Sequence, residues 1–194
     1  MIAAIILAAG AATRMGQLKQ LLPYRDSTLV EHCIQQAGGA GFDPVIVVIG
    51  AEANAVRARI AKYPVEIVEN NAWAKGMGTS VVAGVQALQR LGTESPGVAL
   101  LLADQPLVTA AHLAAMRAAL AQTSATAVAA EYNGTLGVPA LFKQIMLPRL
   151  KELPPEVGAR GLLRSAGIDV EAFPLPEAAS DIDTPEDFAG LAGS

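Results

Sequence analysis

The residues best suited to chemistry stand near the start of the chain, in the run Leu7-Ala8-Ala9-Gly10 and in the two cations Arg14 and Lys19 that follow it. Small residues let a backbone approach a flat base or a phosphate closely, and free backbone N–H groups in such a loop favour anions. An arginine fork and a lysine point charge can together neutralise a polyphosphate. The pattern predicts a nucleotide held just after the first strand. An ordinary strand-to-helix turn with solvated cations is the alternative.

A carboxylate ends a strongly apolar run later in the chain, where Asp104 follows residues 100–103. Magnesium takes one or two carboxylates together with phosphate oxygens, so Asp104 is a candidate ligand for Mg²⁺. Asp181 and Asp183 alternate near the C-terminus and share one face of an extended segment, and Asp183 is the candidate second ligand. The residues leave open which of these two carboxylates binds the metal. Capping of the following turn is the alternative role for Asp104.

A third polar segment contains Trp73, the only tryptophan, and leads through Gly76 and Met77 to the hydroxyl pair Thr79 and Ser80. Helix N-termini attract anions and polar edges, and the pattern predicts a helix that opens at this hydroxyl pair. We therefore interpret the segment as one wall of a binding site. The alternatives are a packed tryptophan and a hydroxyl that only caps the helix.

These segments need a scaffold, and apolar runs alternate with helical patterns along the first two thirds of the chain. This rhythm predicts a mostly parallel sheet with helices on both faces, whose functional groups gather beyond the carboxyl ends of the strands. The predicted strands are 3–8, 44–50, 65–68 and 97–103, and the predicted helices are 28–37, 52–62, 79–91 and 109–122, the last with Thr109 as its N-cap.

The pattern loosens after residue 125, with a strand near 127–131, a turn at Asn133 and Gly134, and an extended run over 137–142. These features predict a mixed-sheet flap beside an otherwise Rossmann-like sheet. No linker or internal repeat divides the chain, so we expect one three-layer α/β/α domain over residues 1–194.

The composition limits what the chain can bind. Charged residues make up 16% and hydrophobic residues 52% of the 194 positions, as in a folded domain with a buried core. The formal net charge of −4 gives no reason to expect nucleic acid or a membrane surface as a partner, and no apolar run is long enough to span a bilayer. Cys33 is the only cysteine, which excludes an internal disulfide and a zinc cluster and favours the reducing cytoplasm. We interpret Cys33 as a small hydrophobic residue of its helix.

Four motifs together give the chain a family resemblance. They are L-A-A-G-x-x-x-R-M-G-x-x-K at 7–19, W-x-x-G-M-x-x-S at 73–80, D-Q-P at 104–106 and D-I-D-T-P-E-D at 181–187. In this combination the chain resembles the molybdenum cofactor cytidylyltransferases over nearly its full length. The resemblance implies a fold like that of the nucleotide-diphospho-sugar transferases. It also implies transfer of CMP from CTP to molybdopterin with Mg²⁺, and release of pyrophosphate.

The resemblance also implies roles for individual residues. A nucleotide-binding part, about 1–108, precedes an acceptor-binding part, about 109–194. Arg14, Lys19 and Asp104 are implied as catalytic, and Asp104 and Asp183 as metal ligands. The implied nucleotide-binding residues are Leu7, Ala8, Ala9, Gly10, Arg14, Lys19, Gly76 and Ser80. The implied acceptor-binding residues are Trp73, Met77, Gly137, Pro139 and Arg160. The implied partners are CTP, molybdopterin, and a molybdoenzyme or its chaperone.

Several rival functions follow from the same residues. Ala9 favours cytidine, since guanylyl-transferring relatives carry Leu-Ala-Gly-Gly there. Within the class, the alternatives are a guanylyltransferase and a cytidylyltransferase for a sugar or polyol phosphate. Relatives often have Gly-His-Pro where this chain has Gly137-Val138-Pro139, and they carry a Gly-Asp-x-Gly-Ala-Arg stretch where this chain has residues 155–160. Both departures fall in the acceptor-binding part.

A nicotinamide-dependent oxidoreductase would need G-x-G-x-x-G after the first strand, where only Gly10 fits. A non-catalytic carrier of the cofactor is the third reading.

Overall fold

The computed structural model describes residues 1–11, 18–165 and 167–180. Its strands are β1 (Ala3–Ala8), β2 (Pro23–Tyr24), β3 (Ser27–Thr28), β4 (Val45–Ile49), β5 (Glu66–Glu69), β6 (Gly97–Leu102), β7 (Ala127–Tyr132), β8 (Thr135–Lys143) and β9 (Val170–Pro174). Its α-helices are α1 (Leu29–Gly39), α2 (Ala53–Ile60), α3 (Met77–Arg90), α4 (Ala110–Gln122), α5 (Leu147–Lys151) and α6 (Ala159–Leu163). Short 3₁₀ helices cover Lys19–Leu21, Trp73–Lys75, Gln144–Met146 and Pro176–Ala179.

Among the described residues, seven strands form one sheet in the order β5-β4-β1-β6-β8-β7-β9. The four strands β5, β4, β1 and β6 run parallel, so their carboxyl ends meet at one edge of the sheet. β1 lies at the centre of this group, with Leu7 opposite Leu102 on β6 and Ala8 opposite Ile49 on β4. The predicted α/β class with a mostly parallel sheet is confirmed.

The mixed part of the sheet comes from the C-terminal strands. β8 pairs antiparallel with β6, from Gly97 opposite Lys143 to Leu100 opposite Ala140, and β7 pairs antiparallel with β8. These strands extend the parallel sheet sideways because β8 satisfies the free edge of β6. β2 and β3 form a separate small antiparallel ladder.

Two apolar layers cover the sheet, and the side chains of β1 alternate between them. Ala4, Ile6 and Ala8 belong to the layer that contains α1, α2 and α4. Leu7 and Ala9 belong to the layer that contains α3, α5 and α6. This period of two follows from strand geometry, and it decides which side chains of the first strand reach the α3 side of the sheet.

Two helix starts show how sequence signals act locally. Thr109 caps α4, as the sequence predicts, and its hydroxyl accepts a hydrogen bond from the backbone N–H of His112. At the start of α1, Thr28 and Glu31 form a capping box in which the carboxylate of Glu31 accepts from the backbone N–H of Thr28. None of the helices in the described ranges is long and apolar enough to cross a membrane.

Candidate active site

A cavity of about 280 Å³ opens at the carboxyl ends of β1 and β6, on the α3 side of the sheet. This is the edge where parallel α/β sheets place their ligands. Leu7, Ala9 and Gly10 of the first loop contribute to its wall, as do Leu102 and Asp104 at the end of β6. The alternation along β1 explains why Leu7 and Ala9 line the cavity while the side chain of Ala8 lies in the opposite layer.

A buried amide holds the backbone of the first loop. The Nε2 of Gln20 donates to the carbonyl oxygens of Ala8, at 2.9 Å, and of Gly10, at 2.7 Å. Gln20 itself is buried and lines the cavity. Both carbonyls are thereby held toward the amide, which fixes the small-residue run that the sequence assigns to nucleotide binding. Gln20 is not among the residues predicted for the site, although a glutamine between Lys19 and two leucines is an available signal.

The predicted cation and the predicted metal ligand meet at this cavity. Lys19 Nζ lies 3.9 Å from Asp104 Oδ2, and the two side chains are 17% and 28% exposed. Lys19 belongs to a 3₁₀ helix and Asp104 to the turn after β6, so the fold brings together two charges that are far apart in sequence. Arg14, Asp181 and Asp183, the other charged candidates, lie outside the described residues.

Asn70 organises the polar wall that carries Ser80. The Nδ2 of Asn70 donates to the hydroxyls of Thr79 and Ser80, both at 2.9 Å, and its Oδ1 accepts from the backbone N–H of Ala72. Ser80 lines the cavity and is 5% exposed. Asn70 is not predictable from the sequence, because its role depends on the turn that brings residues 70 and 80 together.

α3 begins at Met77, and this differs from the sequence prediction of a helix opening at Thr79. The N-cap position is Gly76, and the hydroxyl of Thr79 instead donates to the carbonyl of Gly76 at 2.7 Å. The alternative in which Thr79 or Ser80 caps the helix is therefore wrong. The hydroxyl of Ser80 is left to face the cavity with its Asn70 partner.

Trp73 and Met77 complete the cavity on its outer side. Trp73 packs over Gly50, where a Cβ would lie 2.8 Å from both the Trp73 side chain and the carbonyl of Ala9. This close approach explains a glycine at the end of β4. The Met77 side chain is 48% exposed, and its sulfur lies beside Gly158.

Gly76 contributes to the cavity indirectly. Its φ of 131° and the carbonyl of Pro155 beside it leave no room for a side chain. The backbone N–H of Gly78 donates to the Pro155 carbonyl at 2.9 Å. A segment of the C-terminal part thus closes over the start of α3.

The other predicted acceptor-binding residues do not line this cavity. Arg160 donates from Nη2 to the hydroxyl of Tyr132 at 3.0 Å, and Gly137 lies against the same tyrosine ring. Pro139 borders a small cavity beside Cys33, in the layer of α1 and α4. Their role toward an acceptor stays a prediction.

The two titratable groups of α1 nearest the site are held neutral. Burial, together with the neighbouring Asp104 carboxylate, raises the pKa of the Cys33 thiol to about 12, so this thiol is unreactive at neutral pH. Burial lowers the pKa of His32, whose Nε2 lies 3.1 Å from the carbonyl oxygen of Pro106. His32 therefore supports the turn after Asp104 from the opposite side of the sheet.

The residues at the cavity fit a hard divalent cation. Asp104 offers carboxylate oxygens at the cavity wall, which suit Mg²⁺ completed by phosphate oxygens. Within the described ranges, no cluster of three or more histidine, cysteine, aspartate or glutamate side chains could hold a metal by itself.

Comparison with known proteins identifies relatives over nearly the whole chain. Residues 4–170 match the family described as MobA-like NTP transferase domain. The purine catabolism protein PucB of Bacillus subtilis (strain 168) is 32% identical over 196 residues, covering 95% of this chain and 92% of PucB. The molybdenum cofactor cytidylyltransferase of Escherichia coli (strain K12) is 33% identical over 187 residues, again covering 95% and 92%. The nicotine blue oxidoreductase of Paenarthrobacter nicotinovorans is 42% identical over 103 residues, or 53% of this chain and 48% of that protein.

A solved structure shares the fold. Rv0371c from Mycobacterium tuberculosis H37Rv superimposes with a TM-score of 0.84 at 30% identity, covering all of this chain and 98% of that one. A second structure of Rv0371c, described as a complex with manganese, gives a TM-score of 0.77 over the same coverage.

Proposed function

Since the chain belongs to the MobA-like NTP transferase family, we propose that it transfers CMP from CTP to molybdopterin and releases pyrophosphate. The cavity carries the proposal, because the small-residue loop, Lys19 and Asp104 all line it. The 33% identical molybdenum cofactor cytidylyltransferase supports the choice of nucleotide and acceptor. The expected compartment is the cytoplasm, where the lone thiol of Cys33 stays reduced.

The base is proposed to lie against the end of β1. Leu7, Ala9 and Leu102 give this wall an apolar surface, and Gln20 fixes the backbone carbonyls behind it. The Cβ of Ala9 takes up space that a glycine would leave to a larger base. Cytosine is the smaller choice and therefore the one we assign.

The triphosphate is proposed to lie between Lys19 and Asp104. The Lys19 ammonium neutralises phosphate charge that increases as the pyrophosphate group leaves. Asp104 would hold Mg²⁺, with Asp183 as the proposed second ligand. When bound, the cation neutralises the phosphate oxygens and makes the α-phosphorus more electrophilic.

The reaction needs no protein nucleophile. An oxygen of the terminal phosphate of molybdopterin attacks the α-phosphorus of CTP. A new P–O bond forms as the bond to the β-phosphate oxygen breaks, and the electron pair leaves with pyrophosphate. The attacking phosphate is already anionic, so no general base is required. Among the described residues that line the cavity, none is a histidine. Alignment and charge neutralisation are the tasks left to the protein.

A second candidate rests on the nicotine blue oxidoreductase relative, which is 42% identical over 103 residues. Hydride transfer is the competing reaction, and it would use a nicotinamide nucleotide at the same edge of the sheet. The first loop lacks the glycine pattern that binds a dinucleotide pyrophosphate, so nucleotidyl transfer is preferred.

The test is a matrix of nucleotides and acceptors. The purified protein is incubated with CTP, GTP, ATP or UTP, with Mg²⁺ or Mn²⁺, and with molybdopterin or a sugar phosphate. Pyrophosphate release is measured and the product is identified by mass. A cytosine dinucleotide product supports the proposal, and turnover with GTP but not CTP rejects the base assignment. Molybdopterin binding without pyrophosphate release indicates a carrier, and oxidation of NADH or NADPH indicates the second candidate.

A further inference from the structure

Gln105 is a buried polar residue directly after the candidate metal ligand. It is 5% exposed and borders the small cavity beside Pro139, whereas Asp104 lines the large cavity on the other side of the sheet. Two successive residues of the same turn therefore border different cavities. Whatever holds Gln105 also restricts the backbone from which the Asp104 carboxylate projects.

The Gln105 amide joins three distant parts of the chain. Its Nε2 donates to the carbonyl of Val138 in β8 at 2.9 Å, and to the carbonyl of Ala178 in the 3₁₀ helix Pro176–Ala179 at 2.7 Å. Among the residues that the structure describes, none is a hydrogen-bond partner of its Oε1. The two donations orient the amide, and both lead to the C-terminal part.

We propose that Gln105 is a positioning residue for Asp104. By fixing the turn to β8 and to residue 178, it presents the carboxylate to the cation and nucleotide. This inference rests on the proposed function, which supplies the cation. A residue that only stabilised the fold would affect melting and leave cation affinity unchanged, so the two roles make different predictions.

Gln105→Met is the variant that separates these roles. Methionine keeps the length and volume of glutamine but cannot donate to the two carbonyls. Gln36→Met is the matched control, because Gln36 borders the same small cavity and its Oε1 accepts from the backbone N–H of Ala110, at 2.8 Å, at the start of α4. Gln105→Met loses two amide hydrogen bonds to the backbone and Gln36→Met loses one, and the bond of Gln36 does not involve the Asp104 turn.

Cation affinity is measured by the electron paramagnetic resonance signal of free Mn²⁺, titrated against each protein in the presence of CTP. We expect Gln105→Met to weaken Mn²⁺ binding about 10- to 100-fold, the usual effect of losing a group that orients a metal ligand. Gln36→Met should bind Mn²⁺ like the wild type, even if its melting temperature falls as far as that of Gln105→Met. Unchanged Mn²⁺ affinity in Gln105→Met, or equal weakening in both variants, overturns the proposal. Gln105→Asn provides a further variant should the methionine variant not fold, and wild-type affinity in it also counts against the proposal.

A crystal structure of Gln105→Met decides the inference independently of nucleotide chemistry. Displacement of the Asp104 carboxylate from its position 3.9 Å from Lys19 Nζ supports it, and an unchanged position overturns it. If the wild type binds no Mn²⁺ with CTP, the proposed function fails. The crystal structure then still shows whether Gln105 positions the turn.

Discussion

The cavity region, at the ends of β1 and β6, differs from the hairpin region formed by β7, β8 and α6. In the cavity region, residues from separate segments converge on one space, as Ala9, Lys19, Ser80 and Asp104 do. In the hairpin region, the candidate Arg160 contacts another protein side chain, the Tyr132 hydroxyl. The candidate residues of the first region therefore surround one open space, whereas Arg160 of the second lies against a tyrosine and does not line that cavity.

The difference follows from strand direction. Parallel strands end at one edge, so residues that follow them meet whatever their spacing in sequence. β8 and β7 are one and two strands further from β1 than β6 is, about 5 Å and 10 Å to the side. A motif on these antiparallel strands reaches the cavity only if register and side-chain direction also agree.

The largest expected effect tests the cavity region directly. Asp104→Asn should lower turnover about 10³-fold and remove its dependence on the divalent cation, because the amide cannot supply an anionic ligand. Pyrophosphate release against Mg²⁺ concentration measures this. Asp43→Asn, at an exposed position before β4, is the control and should match the wild type. An unfolded Asp104→Asn protein would instead support a capping role for the carboxylate.

A smaller loss of turnover is expected when the Lys19 ammonium group is removed. Lys19→Ala should lower kcat about 10²-fold, because charge on the leaving pyrophosphate is then less well neutralised. Steady-state kinetics with CTP measures the loss, and Lys151→Ala on the exposed side of α5 is the control. Full activity would remove Lys19 from the triphosphate site. The same loss is predicted for Arg14→Ala.

Base choice should respond more modestly. Ala9→Gly removes one methyl group from the wall and so enlarges the cavity. It should raise the ratio of kcat/KM for GTP to kcat/KM for CTP about tenfold. Competition between the two nucleotides in one reaction measures this ratio. The matched control is Ala8→Gly, whose side chain lies in the opposite layer. Equal shifts in both variants would contradict a base contact at residue 9.

The hairpin region should give a smaller effect with a different signature. If Arg160 leaves Tyr132 to bind the acceptor, Arg160→Ala should raise KM for the acceptor about fivefold and leave KM for CTP unchanged. Initial rates with each substrate varied separate the two constants. Arg90→Ala, at the end of α3, is the control. An unchanged acceptor KM would assign Arg160 to the tyrosine contact alone.

The last substitution, Glu31→Gln, lies outside both regions. It should leave the kinetic constants unchanged and affect only the free energy of unfolding. Burial alone would raise the pKa of Glu31, but Lys62, the Thr28 hydroxyl and Arg59 overcome it and lower the pKa from 4.5 to about 2. A lowered folded-state pKa stabilises the fold above about pH 4.5, and the contribution is lost as the pH falls toward 2. Glu31→Gln should cost at most about 3 kcal/mol at pH 7, less where solvent screens the partly exposed partners. Urea unfolding at pH 7 and pH 3 should show this difference shrinking in acid, and a constant difference would contradict the pKa shift.

Much of the scaffold was predictable because it depends on local patterns. The runs at 3–8 and 97–103 predict β1 and β6 to within a residue, and Thr109 caps α4 as predicted. The cavity follows, because Ala9 and Asp104 end parallel strands that lie side by side. Local pattern and topology thus agree for the cavity region.

The buried amides could not be predicted in the same way. Gln20, Asn70 and Gln105 each donate to groups that the fold brings near, and their partners are defined by tertiary contacts rather than by spacing. Gln20 and Gln105 each border an apolar run, which signals that some partner exists but does not identify it. Asn70 stands between Glu69 and Asn71 and gives no such signal.

The pairing of β8 with β6 means that the segments before and after residue 108 are not separable pieces. A fragment that stops near residue 108 would leave one edge of β6, from Gly97 to Leu100, with unpaired N–H and C=O groups, and such an open edge recruits other chains. Truncation to a minimal nucleotide binder is therefore expected to aggregate. A split-protein reporter cut in the loop before α4 would regain its fold only on reassembly, since β8 alone restores that edge.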